Sequence, residues 1–215
     1  MIDYIKRNLG CVHMKNILYV SAVFSVILFV ILLFQFQSEA MISFDQYMNK
    51  LFEGNRFFGF FHYFGETALI ITASLLLLVF LWIKARNYRG MLFVLLTVAL
   101  GNVLNRFIKD WVGRPRPEIE DQLTSFSFPS GHAMLGLLYL FTIVYLTTEN
   151  LVNEKRKLFI WIGTTILVIL IGLSRIAESR HFGTDVLAGW FLGYAWFVVC
   201  VIWYERRVRR FNKMS

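Results

Sequence analysis

Residues 17–36 read ILYVSAVFSVILFVILLFQF, twenty residues without a charged side chain. A helix of this length rises about 30 Å, which matches the hydrocarbon core of a lipid bilayer. The stretch therefore predicts a membrane-spanning helix. The following Ser38-Glu39-Ala40 fits a small-x-small cleavage site, but the apolar core is longer than that of a typical signal peptide, so we expect an uncleaved anchor.

Five further apolar runs follow the first one, and each reaches membrane-spanning length when the polar residues at its ends are included. The apolar content of 57% is higher than a soluble domain of 215 residues usually carries. The sequence thus predicts an all-α membrane protein with one domain, residues 1–215. Its six transmembrane helices are expected at approximately 16–37, 66–85, 89–108, 131–148, 157–175 and 183–204.

An interfacial amphipathic helix is predicted directly after the first span. Met41, Phe44, Met48, Leu51 and Phe52 recur at helical spacing, and the polar residues between them, Asp45 included, are interpreted as lying largely off that stripe. The aromatic residues of 57–64 that follow are typical of a membrane-interface belt. Anchoring is the favoured role of this segment, admission of a lipid substrate is the alternative, and His62 within it is interpreted as packing.

The basic residues are distributed unevenly along the chain. Fourteen of the 22 Lys and Arg residues lie before the first run, between runs two and three, between runs four and five, and after run six, with only four acidic residues among them. By the positive-inside rule, both termini are predicted to be cytoplasmic in a multi-pass cell-membrane protein. The net charge of +8 is then better explained by a basic tail that binds anionic lipid headgroups than by nucleic-acid binding.

Three polar segments lie at helix ends on the predicted extracytoplasmic side. Phosphoryl transfer needs cations and N–H donors around the phosphate, and the segments supply both. Arginine suits bidentate phosphate binding, lysine adds a point charge, and a glycine at a helix start leaves backbone N–H groups free for an anion. The segments are Lys109-x6-Arg116-Pro117, Pro129-Ser130-Gly131-His132 and Ser174-Arg175-x5-His181-x3-Asp185.

The third segment contains the candidate nucleophile. His181 and Asp185 are four residues apart and would share one face if residues 181–185 begin the sixth helix. A carboxylate beside an imidazole fixes its tautomer and activates its other nitrogen, so His181 could form a phosphohistidine. His132 could protonate the leaving oxygen and then activate water.

Other interpretations of these residues remain open. A histidine at a helix end is often only a hydrogen-bonded polar residue, and Lys or Arg at such an end can merely extend to the membrane surface. The His181/Asp185 pair could be half of a metal site, but no further cluster of ligands is apparent in the sequence. We therefore expect no metal and no cofactor.

Taken together, the three segments resemble the full signature of the type 2 phosphatidic acid phosphatase superfamily, and the six-helix layout resembles its membrane members. The resemblance implies metal-independent dephosphorylation of a lipid phosphate at the outer membrane face. It implies catalysis by His181, His132 and Asp185, and phosphate binding by Lys109, Arg116, Ser130, Gly131 and Arg175.

The chain departs from its relatives within Ile176–Arg180, where they carry mostly apolar residues with a Tyr and a Gly, and at Gly183, where they often carry Pro. The rim of the pocket is therefore expected to be more polar, and Arg180 is a candidate contact for a second phosphate or a polar headgroup. The resemblance implies undecaprenyl diphosphate, phosphatidylglycerophosphate or phosphatidate as the substrate, and the predicted outward-facing site favours undecaprenyl diphosphate. An anion transporter and a vanadate-dependent haloperoxidase are alternatives of other classes. The oligomeric state is open.

Overall fold

The computed structural model describes residues 2–118, 125–149 and 151–212, with side chains over 16–118, 125–149 and 151–206. The predicted all-α class is confirmed. Five helices are long and apolar enough to cross a membrane, and a bent pair makes a sixth span. The basic tail beyond Arg206, predicted to bind lipid headgroups, lies outside the described side chains. The five spans are Asn16–Gln35, Tyr88–Val112, Gly131–Thr148, Glu154–Ala177 and Gly183–Arg206.

Several helices begin after a residue whose side chain satisfies a free backbone N–H group. Ser38, Asn87, Ser130 and Asn153 each accept a hydrogen bond from a backbone N–H in the first turn of the helix that follows. The helices are α1 Ile2–Gln35, α2 Glu39–Phe52, α3 Arg56–Gly59, α4 Thr67–Ile83, α5 Tyr88–Val94, α6 Leu100–Val112, α7 Gly131–Thr148, α8 Glu154–Ala177 and α9 Gly183–Asn212. A π-helical turn, Leu95–Ala99, joins α5 to α6 within one span.

The connection between the first two spans is helical throughout most of its length. It contains α2, the short α3 and a 3₁₀ turn, Phe60–Gly65, which meets α4 at an angle of 45°. The predicted stripe of α2 faces the protein, since Met41, Met48 and Phe52 pack against buried residues, whereas Leu51 is exposed. The segment is therefore docked on the bundle as well as amphipathic.

Helix α7 occupies the centre of the bundle. It packs mainly against α8 and α9, and α1 packs against the other side of α9. The core contains Phe93, Met134, Leu138 and Phe197. Apolar side chains cover the outer surface instead, Val20 and Phe34 of α1 among them, as expected for helices that face lipid.

Candidate active site

The structure brings the three predicted segments together at one end of the bundle. Arg116 of the first segment lies against His181 of the third, with 3.2 Å between Nη1 and Nε2. The backbone N–H of Ser130, in the second segment, donates to the carbonyl of Asp185 at 2.9 Å. Residues separated by up to 76 positions in sequence therefore form one polar cluster.

Lys109 and Arg116 are held by the loop that follows α6. Gly113 ends α6 with a φ of +64°, a conformation that glycine adopts without strain. The ammonium of Lys109 donates to the carbonyls of Phe126 and Ser127 at 2.7 and 3.2 Å. The guanidinium of Arg116 donates to Ser125 and to the carbonyl of Arg180. Both cations are buried and fixed before any ligand arrives.

The second segment forms the N-terminus of α7. The Ser130 hydroxyl accepts a hydrogen bond from the N–H of Ala133, so it caps the helix. Close packing fixes this turn, because a Cβ on Gly131 would lie 3.3 Å from Asn105 Oδ1 and a Cβ on Gly189 would lie 2.6 Å from the Ser130 carbonyl. The imidazole of His132 leaves its Nε2 buried without a hydrogen-bond partner, 3.6 Å from Glu66 Oε1.

His181 is buried beside the fully buried Asp185, and 3.4 Å separates Nδ1 of the histidine from Oδ2 of the aspartate. Arginine can only donate, so the contact with Arg116 makes His181 Nε2 the acceptor and leaves the proton on Nδ1, facing Asp185. The predicted pairing is present, but its predicted cause is wrong. Helix α9 begins at Gly183, so His181 lies in the turn before the helix, where Asp185 Oδ2 also accepts from the N–H of Phe182.

Electrostatics keep the His181 imidazole neutral. Burial lowers the pKa of His181 well below its usual range, and the positive charges of Lys109, Arg116 and Arg175 lower it further. A neutral imidazole whose Nε2 lone pair faces the cations has the protonation state that a nucleophile requires.

Arg175 already has an anionic partner. Its Nη1 donates to Glu178 Oε2 at 2.6 Å, while its buried Nε has no hydrogen-bond partner. The other oxygen of Glu178 lies 2.8 Å from His62 Nδ1, which also lies 2.8 Å from the Gly59 carbonyl oxygen. The interpretation of His62 as packing is therefore wrong, because this histidine pairs with a residue of the third segment.

Sequence reasoning missed Arg114, which lies at the back of the cluster. Its guanidinium donates to Asp185 at 2.7 Å, to Asp45 at 2.8 Å and to the Thr184 hydroxyl at 2.7 Å. Its central carbon also lies 4.2 Å from the centre of the Phe182 ring. The repeated Arg-Pro in residues 114–117 was the available signal.

Asp45 corrects the interpretation of α2. Its carboxylate is buried, because it lies four residues after Met41 and three before Met48, on the face that packs against the protein. It accepts hydrogen bonds from the N–H and hydroxyl of Thr184, each at 2.8 Å. Helix α2 therefore supports the turn that carries His181.

Three comparisons with known proteins agree with this arrangement. The family model described as PAP2 superfamily matches residues 90–209, which include all three segments. Phosphatidylglycerophosphatase B of Bacillus subtilis (strain 168) is 29% identical over 152 residues, covering 69% of this chain and 74% of the relative. An undecaprenyl-diphosphatase of Sulfolobus acidocaldarius is 26% identical over 150 residues, covering 67% of this chain and 68% of the relative.

A solved structure has the same fold. The transmembrane PAP2 type phosphatidylglycerolphosphate phosphatase from Bacillus subtilis superposes with a TM-score of 0.78 at 26% identity, covering 86% of this chain and 96% of the other. The helical fold of the described residues is thus shared with a membrane phosphatase. The chain belongs to the PAP2 superfamily and is a hydrolase of phosphate esters, as its lipid phosphatase relatives are.

Proposed function

We propose that the protein hydrolyses a lipid phosphate or diphosphate at the outer membrane face through a phosphohistidine on His181. The observation that carries this proposal is that two of the three buried side-chain nitrogens without partners in the described residues, Arg175 Nε and His132 Nε2, lie in the polar cluster, the third being Trp190 Nε1. A buried donor without a partner costs about 1–3 kcal/mol, so such groups are expected where a ligand binds. Both belong to the predicted phosphate site.

The phosphate would bind among cations that are already oriented. Arg116 and Arg175 offer N–H groups, Lys109 offers positive charge, and the N-terminus of α7 at Gly131 offers backbone N–H groups. When the phosphate takes the N–H groups of Arg116, the lone pair of His181 Nε2 is released for attack. The Ser130 hydroxyl, which accepts from Ala133, retains its own proton for donation to a phosphate oxygen.

The reaction would proceed in two displacements. His181 Nε2 attacks phosphorus, the bond from phosphorus to the lipid-side oxygen breaks, and His132 gives that oxygen a proton. His132 then removes a proton from water, whose oxygen attacks phosphorus as the bond to His181 breaks. Asp185 stabilises the positive charge that His181 carries in between, and Glu66 lies close enough to stabilise the protonated His132.

Two lipids are the leading substrates. The distribution of basic residues supports a site on the extracytoplasmic side, where undecaprenyl diphosphate is released, and its hydrolysis would yield undecaprenyl phosphate. Phosphatidylglycerophosphate is the second candidate, because the similar Bacillus subtilis proteins are named for it. Phosphatidate is a third, simpler phosphate ester.

Phosphate release by the full chain in detergent, with a chelator present, tests the proposal. We expect release from at least one of these lipids, and we expect His181→Ala to abolish it. Release that needs added metal, or that persists in His181→Ala, would contradict the mechanism. An anion transporter would instead move phosphate across vesicles with no release from lipid.

A further inference from the structure

The carboxylate of Glu178 lies on the guanidinium that the proposed function assigns to phosphate. Its Oε2 accepts from Arg175 Nη1 at 2.6 Å, and its Oε1 lies 2.8 Å from His62 Nδ1. Arg175 is buried, whereas the Glu178 side chain is 27% exposed. The carboxylate thus reaches a buried cation from the rim of the site.

A carboxylate and a phosphate bind arginine in the same way, through N–H groups of one planar fork. While Nη1 donates to Glu178, phosphate can use only the remaining N–H groups of Arg175, and the carboxylate offsets part of the positive charge that the phosphate would meet. The unpartnered Nε of the same guanidinium shows that the carboxylate satisfies only part of it. Part of the guanidinium is thus left for an anion, and part is already in use.

We propose that Glu178 is a built-in competitor for Arg175, which phosphate must displace in order to use the whole guanidinium, and that His62 holds the displaced carboxylate. The pair thereby sets the affinity of the site for phosphate. This inference rests on the proposed function, and it adds to that function an affinity-setting role for two residues that are not among the predicted site residues.

The surroundings of Glu178 allow such a displacement. The residue follows the last turn of α8, and the backbone there is fixed by bonds that do not involve its side chain. The N–H of Gly54 donates to the carbonyl of Ala177 at 2.9 Å, and the Ser179 hydroxyl donates to Glu53 at 3.1 Å. The carboxylate can therefore rotate away from Arg175 while the segment that carries His62 stays docked.

Binding of inorganic phosphate to the full chain in detergent micelles, measured by calorimetry, tests the inference. Glu178→Gln removes the charge but keeps the shape, and we expect it to bind phosphate roughly five- to tenfold more tightly, because a neutral acceptor holds arginine less strongly than a carboxylate does. The KM for the lipid should fall in parallel without a rise in kcat. Damage to the fold would weaken binding, so tighter binding is specific to competition.

Two further variants distinguish the direct contact between Glu178 and Arg175 from a general effect of negative charge near the site. Glu178→Asp keeps the charge but withdraws it by one methylene, and we expect it too to bind phosphate more tightly than the wild type. Glu53→Gln removes a carboxylate from the same neighbourhood that bonds to Ser179 and Asn49, and we expect unchanged affinity. Equal or weaker binding by Glu178→Gln, or an equal gain in Glu53→Gln, would overturn the inference.

A fourth variant distinguishes failure of this inference from failure of the proposed function. Arg175→Ala should abolish phosphate binding if Arg175 belongs to the phosphate site. If it does so while Glu178→Gln binds no more tightly than the wild type, only the competitor role is refuted. If Arg175→Ala binds phosphate as well as the wild type does, the phosphate site itself is misassigned and both proposals fail.

Discussion

Replacing Arg114 by alanine should be the most damaging single change outside the predicted site residues. Arg114 holds two buried carboxylates, those of Asp185 and Asp45, with one hydrogen bond each at 2.7 and 2.8 Å, and it donates a third hydrogen bond to the Thr184 hydroxyl. Removing one partner of a buried ion pair costs about 3–5 kcal/mol, because the remaining charge stays buried without compensation. Here two carboxylates would be left, so the upper end of that range is expected.

In a chain of this size, a loss of 1 kcal/mol lowers Tm by about 2–4 °C, so a loss at the upper end of that range corresponds to roughly 10–20 °C. Thermal unfolding in detergent, followed by tryptophan fluorescence, measures it. Arg114→Lys keeps the charge but cannot reach both carboxylates with one ammonium, and we expect an intermediate Tm. The activity should fall as well, since Asp185 loses one of the groups that orient it toward His181.

Arg106→Ala is the matched control. Arg106 lies on α6, the same helix that leads to Arg114, and its side chain is exposed. Exposed substitutions of this kind usually change stability by less than about 0.5 kcal/mol. If Arg114→Ala unfolds within 2 °C or so of the wild type, or if Arg106→Ala loses as much, the role assigned to the buried ion pairs is refuted.

Two further predictions concern the nucleophile and the helix that supports it. Burial and neighbouring cations lower the pKa of His181, so its imidazole should stay neutral as the pH falls through 6.5. Arg116→Gln removes one of these positive charges and should move the titration of His181 to higher pH. NMR titration of the imidazole measures both effects. Gly189→Ala places a Cβ 2.6 Å from the Ser130 carbonyl oxygen and should lower kcat/KM sharply. Gly163→Ala is the control, because a Cβ at that position has no atom within 4 Å, and it should retain activity. Equal effects of the two substitutions would refute the packing argument.

The sequence predicts those parts of the site that depend on local geometry. The spacing within each polar segment, such as Lys109 to Arg116, reflects one helix end and its loop, so the pattern is visible in one stretch of chain. The same holds for the membrane spans, since apolar length alone indicates them. That the segments meet follows only from the inference that they lie on one side of a membrane.

Contacts between distant elements could not be predicted in the same way. Asp45 and Arg114 are 69 residues apart, and their pairing depends on how α2 docks against α9. The amphipathic pattern of α2 indicated a membrane interface and concealed that its inner face also carries a carboxylate. His62 and Glu178 are likewise paired by docking, whereas helical spacing in the sequence points to other partners, Glu66 for His62 and Arg175 for Glu178.

The segment between the first two spans supports the site from three directions. Asp45 holds Arg114 and Thr184 behind Asp185, His62 holds Glu178 beside Arg175, and Glu66 lies 3.6 Å from His132. Each contact joins a residue of the predicted membrane interface to one that positions or belongs to the polar cluster. A lipid headgroup that enters at this interface would therefore meet side chains that are already bonded to the catalytic framework. We therefore expect substitutions at Asp45, His62 or Glu66 to lower activity as well as to weaken the docking of this segment.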